Sequence, residues 1–160
     1  MVGVDFAGVV DALGDGVTTF AVGDRVAGGT DFSRGQRGSY ADTVVGHFGR
    51  VNVVVNNAGF HWARGEAGLK GLATEDLERA VRTNLYGTLW ISRAALPHLG
   101  RGDSIINTTS VQAYDPSVSM VDYAATKAAL NNVTANLAAE LGPDGIRVNA
   151  VAPGPIWTPL

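Results

Sequence analysis

Cysteine is absent from the 160 residues, which excludes disulfides, thiolate metal sites and a cysteine nucleophile. Positive charge is sparse as well. Twelve Lys and Arg stand against fifteen Asp and Glu, for a net charge of −3, and no basic run or face collects them, which argues against a nucleic-acid partner. No apolar run approaches the ~20 residues of a membrane span, and the N-terminus lacks the charged and apolar regions of a signal peptide. The expectation is a cytoplasmic protein with no membrane partner. The three histidines, His47, His61 and His98, never fall at i+3 or i+4 of one another. Lone histidines are more often solvated than metal-bound, so no metal is expected.

What is present is apolar residues, 46% of the chain, enough for the core of one ordinary domain. The 21 glycines are dense before residue 72, where they imply turns and close backbone approaches. Val2, Val4, Phe6, Gly8 and Val10 alternate with other residues at the period of a half-buried antiparallel strand. Val22–Val26 and Gly38–Val45 read as further short strands of the same kind.

After Gly46 the pattern changes. Val51–Val55 is a nearly continuous β-branched run, Thr74–Leu99 has helical periodicity, and Ser104–Thr108 is apolar again. A second helix is predicted from Ser119 to Leu141, with Leu130, Val133, Leu137 and Leu141 on one stripe and Gly142-Pro143 as its stop. Ile146–Val151 closes the series. Strand, helix, strand, helix, strand is the order of a parallel sheet with right-handed crossovers. In the Thr74 helix, Leu77, Val81, Leu85 and Leu89 are expected to face the core, with Asn84 beside them. Gly87 and Pro97 should weaken or bend that helix.

The chemistry concentrates between Ser110 and Lys127. On a helix, Tyr123 and Lys127 share one face about 6 Å apart along the axis. A phenol ordinarily titrates near ~10, too high for a base at neutral pH. An ammonium ~4 Å away in an effective dielectric of ~20 contributes ~4 kcal/mol toward the phenolate before solvent screening. Chance alone places a Tyr-x-x-x-Lys in about one such chain in twenty, and a helical Tyr and Lys commonly form amphipathic surface. The setting favours the functional reading: an apolar strand leads to Ser110, and another follows the helix. Taken alone, Ser110 is a strand-end hydroxyl that would cap a turn, and Asn84 a polar side chain that bonds nearby backbone.

Together these motifs resemble the short-chain dehydrogenases/reductases over residues 46–160. Asn56-Asn57-Ala58-Gly59 looks like that family's sheet-end motif. Asn84, Ser110, Tyr123 and Lys127 resemble its catalytic tetrad, and Pro153-Gly154-Pro155 its nicotinamide-side loop. The resemblance implies an α/β fold: part of a doubly wound, Rossmann-like parallel sheet with three strands and two long helices, preceded by an antiparallel β segment at 1–45. It further implies NAD or NADP as cofactor, bound by Asn57, Ala58, Gly59, Tyr123, Lys127, Pro153, Gly154, Ile156 and Thr158, and a small-molecule alcohol or carbonyl substrate. Tyr123 would exchange a proton with the substrate oxygen, Ser110 would hydrogen-bond that oxygen, Lys127 would act on the phenol and the ribose, and Asn84 would hold a relay water.

Residues 1–43 resemble instead the barrel domain of medium-chain dehydrogenases, particularly quinone-oxidoreductase-like members. Gly3-Val4-Asp5 stands where the zinc members carry Gly-His-Glu, so a catalytic zinc is not implied. The short-chain family's Gly-x-x-x-Gly-x-Gly phosphate turn does not occur in the 160 residues. The resemblance therefore implies a truncated or hybrid chain with weakened cofactor binding. The Val51–Val55 strand would then present an edge, expected to be covered by residues 2–11 or 38–45, or by a second copy packed through the helices at 74–99 and 119–141. Two other readings remain open. One is an inactive remnant or non-catalytic interaction module. The other uses Ser110 as a hydrolase nucleophile, which no Gly-x-Ser-x-Gly elbow supports.

Overall fold

The computed structural model describes residues 6–9, 25–28, 37–61 and 65–155. Strands β1 (Phe6–Val9) and β2 (Arg25–Gly28) form an antiparallel pair, in register Phe6 with Gly28 through Val9 with Arg25. Helix α1 (Arg37–Phe48) follows, then β3 (Val53–Asn56), α2 (Thr74–Ala80), a π-helical turn (Val81–Tyr86), α3 (Gly87–Ala95), β4 (Ser104–Thr108), α4 (Val121–Leu141) and β5 (Arg147–Val151). The three later strands make one parallel sheet of order β3-β4-β5, with Val53 beside Ser104 and Ser104 beside Arg147. This is the expected α/β arrangement with an antiparallel β segment before it.

Residues 38–45, expected as strand, lie in α1 and pack along α3. Ala41, Val44, Val45 and Phe48 are half-buried, while Asp42, Gly46 and Gly49 are exposed. Their spacing of i, i+3, i+4 and i+7 is that of a helix face, and it overrides the β-branched character of Val44 and Val45. Asp42 on α1 meets His98 beyond α3, with Oδ1 and Nε2 3.1 Å apart. Among the described residues, neither 38–45 nor β1 pairs with β3, which forms an edge of its sheet.

β4 is central, and its Ile105 is fully buried. Around it pack Val54, Ala95, Leu141, Ile146 and Val148, flanked by Val51, Ile91, Leu137 and Ala138. Leu130, Leu137 and Leu141 of α4 thus point inward as their stripe predicts. The α2–α3 stripe does not. Leu77 and Leu89 are exposed, and the buried line is Ala80, Asn84, Thr88, Ser92 and Ala95. Small side chains let this helix approach the sheet and α4 closely, and the wider π turn changes the phase of the residues that follow it. Gly87 marks the resumption of α geometry, and Pro97 sits in the closing 3₁₀ turn Leu96–His98.

A buried polar chain crosses the core. Asn56 Nδ2 donates to Asn107 Oδ1 at 2.9 Å and to Ser92 Oγ at 3.1 Å. Asn107 Nδ2 donates to Thr134 Oγ1 at 2.9 Å, and Thr134 Oγ1 donates to Leu130 O. Two strands and two helices are therefore joined by buried polar groups that satisfy one another.

Candidate active site

In an open parallel sheet, the backbone leaving the carboxyl ends of the strands forms the natural crevice. Here all three strands contribute to it. Asn57, Gly59 and His61 follow β3, Thr109 to Gln112 follow β4, and Pro153 to Pro155 follow β5. With Met120 just before α4 and Tyr123 and Lys127 from its first turns, they line a cavity of about 530 Å³.

Lys127 is 2% exposed. Its Nζ donates to Thr108 O at 2.6 Å, tying α4 to the end of β4, and lies 5.5 Å from the centre of the Tyr123 ring. Burial lowers its pKa to about 8, because the charged form loses hydration. Gly59 faces this ammonium without a side chain. A Cβ there would stand 3.5 Å from Lys127 Nζ and 3.7 Å from Asn84 Oδ1, filling the space over both.

Ser110 has extended backbone and begins the 3₁₀ turn Val111–Ala113, where its Oγ accepts from Gln112 N at 3.1 Å. The turn-capping role and the place on the cavity coexist, because the hydroxyl proton remains free to donate. The preceding Thr109 Oγ1 accepts from Ser110 N.

Asn84 is fully buried in the π turn. Its Oδ1 accepts from Phe60 N at 2.6 Å, and its Nδ2 donates to Phe60 O at 2.9 Å and to Thr126 Oγ1 at 3.0 Å. The side chain thus copies a strand partner for Phe60 and fixes the loop between Gly59 and His61. Asn84→Ala removes the partners of the partly buried Phe60 N–H and C=O, at a cost of about 2 kcal/mol. Urea unfolding of the variant beside wild type measures the loss.

The structure thus brings together Asn57, Gly59, Ser110, Tyr123, Lys127, Pro153 and Gly154. Asn84 lies directly behind Gly59, and Ala58 is not on the cavity wall. Ile156 and Thr158 lie outside the described residues. His61 differs from the solvated histidine expected: its ring packs against Tyr123 with centroids 5.3 Å apart, and its Nδ1 is buried without a hydrogen-bond partner. No spacing rule singles it out, because the contact forms between a loop and a helix distant in sequence. Among the described residues, no group of three His, Cys, Asp or Glu could hold a metal ion, and no helix is long and apolar enough to cross a membrane.

A family model described as enoyl-(acyl carrier protein) reductase matches residues 33–160. The chain belongs to the short-chain dehydrogenase/reductase family. A second model, the alcohol dehydrogenase GroES-like domain, matches residues 1–64, so the two matches overlap over 33–64. The short-chain match is similar to NADPH-dependent aldehyde reductase 1, chloroplastic, of Arabidopsis thaliana, 48% identical over 119 residues, 74% of this chain and 41% of the relative. Among solved structures, a short-chain dehydrogenase of Burkholderia cenocepacia in complex with NADP is 40% identical. It superposes with a TM-score of 0.69 over 74% of this chain and 47% of its own. The short-chain dehydrogenase/reductase of Serratia marcescens is 35% identical, with a TM-score of 0.70 over 76% of this chain and 55% of its own. The chain spans about two fifths of the length of the curated relatives it matches first.

Proposed function

We propose that this cavity carries out NAD(P)-dependent interconversion of an alcohol and a carbonyl compound. The observation that carries the reading is the convergence of Tyr123, Lys127 and Ser110 on one cavity at the carboxyl ends of the strands. The bare backbone of Gly59 beside the Lys127 ammonium fits the nicotinamide ribose, because a side chain there would close the space. Lys127, Tyr123, Asn57, Gly59, Pro153 and Gly154 would hold that end of the cofactor. With one proton on Thr108 O, Lys127 keeps others for ribose hydroxyls. When bound, the nicotinamide gives or takes the hydride.

In the reducing direction, the substrate oxygen receives the Tyr123 proton while the Ser110 hydroxyl donates to the same oxygen. Negative charge developing on the phenol oxygen is stabilised by the ammonium near the ring. A group titrating at about 8 both carries that charge at neutral pH and can exchange its proton readily. Asn84 acts through Phe60, and the lone pair left on its Oδ1 is available to a water between it and Lys127. Within these residues the cofactor would be held at its nicotinamide end, so its affinity should depend strongly on Lys127.

Titration with NADPH, followed by nicotinamide fluorescence, tests the reading. Saturable binding that weakens about tenfold or more in Lys127→Ala is the expected result, the loss corresponding to one charge-assisted hydrogen bond. Absence of saturable binding at millimolar cofactor would leave these residues as elements of the fold alone.

A further inference from the structure

Tyr123 is gripped at both ends from one short loop. Its ring packs against His61, with centroids 5.3 Å apart. Its backbone is reached from the neighbouring Phe60 by a longer route. The Asn84 amide that pairs with Phe60 also donates from Nδ2 to Thr126 Oγ1 at 3.0 Å, and Thr126 Oγ1 donates in turn to Tyr123 O at 2.7 Å. Contacts thus close a ring from Tyr123 through His61, Phe60, Asn84 and Thr126 back to Tyr123. Thr126 is the member of that ring with no part yet in the chemistry.

A helical threonine commonly returns its hydroxyl to a carbonyl one turn back, and Thr88 and Thr134 do so here. Thr126 and Thr134 in addition each accept from the carboxamide of another element, Asn84 of the π turn and Asn107 of β4. Both are buried, about two turns apart on α4. The helix is thereby pegged at two points along its length, to the sheet at Thr134 and to the turn behind Gly59 at Thr126. Its N-cap residue, Met120, makes no side-chain cap, so the turn that carries Tyr123 relies on such lateral bonds. Lys127 supplies one through its long side chain to Thr108 O. The bond from Thr126 ends on the backbone of the tyrosine itself.

We infer that Thr126 is a positioning residue for Tyr123: its hydroxyl, acceptor to one partner and donor to the other, sets the height of the tyrosine on α4 against the loop that carries Gly59. The inference rests on the oxidoreductase reading and deepens it. Gly59 faces the space assigned to the nicotinamide ribose, so the spacing of loop and helix is also the spacing of cofactor and proton donor. A displacement of about 1 Å between reacting groups costs up to about 10²-fold in rate, while each wall can still bind its own ligand.

Thr126→Val keeps the branched shape and removes the hydroxyl, whereas Thr126→Ser keeps the hydroxyl. NADPH oxidation with propanal, hexanal and benzaldehyde, expressed per folded molecule well below the unfolding midpoint, is compared with NADPH affinity. The valine variant should lose about tenfold in kcat and hold its NADPH affinity within about threefold, with the serine variant within about threefold of wild type in both. A threonine that only supports the helix would lower the unfolding midpoint and leave kcat per folded molecule unchanged, which would overturn the inference. A serine variant as slow as the valine variant would overturn it too.

Amide exchange at Phe60 needs no turnover. Its N–H donates to Asn84 Oδ1, so loss of the Thr126 anchor should speed its exchange about tenfold in the valine variant and much less in the serine variant. A wild type that oxidises no NADPH would refute the oxidoreductase reading and take the inference with it. An active wild type whose Phe60 is equally protected in the valine variant would overturn the inference alone.

Discussion

In the proposed reaction, Tyr123→Phe is expected to lower the rate of hydride transfer at saturating cofactor by about three orders of magnitude. The substitution removes one oxygen and leaves the ring. The packing on His61 and the approach of Lys127 to the ring both involve carbon atoms that phenylalanine retains. What disappears is the proton that must reach the substrate oxygen as the carbon gains its hydride. Water can replace it only poorly, and general acid–base catalysis by one positioned group is worth about 10² to 10⁴. Stopped-flow measurement of the reduced nicotinamide, under saturating cofactor and substrate, reads the step directly. Retention of a tenth or more of the wild-type rate would remove Tyr123 from the proton path.

The second large effect lies in stability and runs against the common trend for lysines. A lysine gaining an anionic partner has its pKa raised on folding, whereas burial holds Lys127 at about 8 against an ordinary 10.5. Between those values the unfolded chain holds a proton that the folded chain has released, so stability rises with pH across the window. At pH 7 both states are protonated, and keeping the ammonium buried costs on the order of 3 kcal/mol. Above about pH 10 that cost has largely vanished. Lys127→Met has no such titration. The difference in unfolding free energy, wild type minus variant, should therefore move in favour of wild type by about 3 kcal/mol from pH 7 to pH 10. Parallel urea titrations across that range give the difference, and a flat one would mean the ammonium is better hydrated than its surroundings indicate. The expense is consistent with the proposed role, because a surface lysine could not present its charge to the tyrosine ring from within the fold.

Much of the site was legible because its parts are local. Tyr123 and Lys127 are one helical turn apart, Ser110 ends a strand marked by an apolar run, and Asn57 to Gly59 end another. Periodicity locates such features within a few residues. Other features were less accessible for physical reasons. In α1, residues 41, 44, 45 and 48 carry a helical signature, yet β-branched Thr43 to Val45 and neighbouring Gly38 favour an alternating reading, and only packing along α3 decides between them. The inward face of α2 and α3 was hidden for a different reason. A π turn has no reliable sequence mark, and where small residues must face inward, leucines such as Leu77 and Leu89 are left outside. His61 depends on a loop crossing to a helix more than 60 residues later, a relationship no window of sequence contains. For Asn84 both initial readings concern one side chain: the amide does bond nearby backbone, and that bond shapes the wall of the cavity.

The amides of Asn56 and Asn107 set a condition on any attempt to rebuild this molecule. Oil-like side chains in their place would tolerate a strand displaced along its neighbour, since apolar contacts have no direction. Two carboxamides and a hydroxyl meeting at 2.9 Å do not, and a displacement by one residue would strand each of them. An engineer grafting a further strand onto the side of β3 that has no strand partner among the described residues could thus vary that new strand widely, provided Asn56 and Asn107 continue to act as the ruler against which the sheet is aligned.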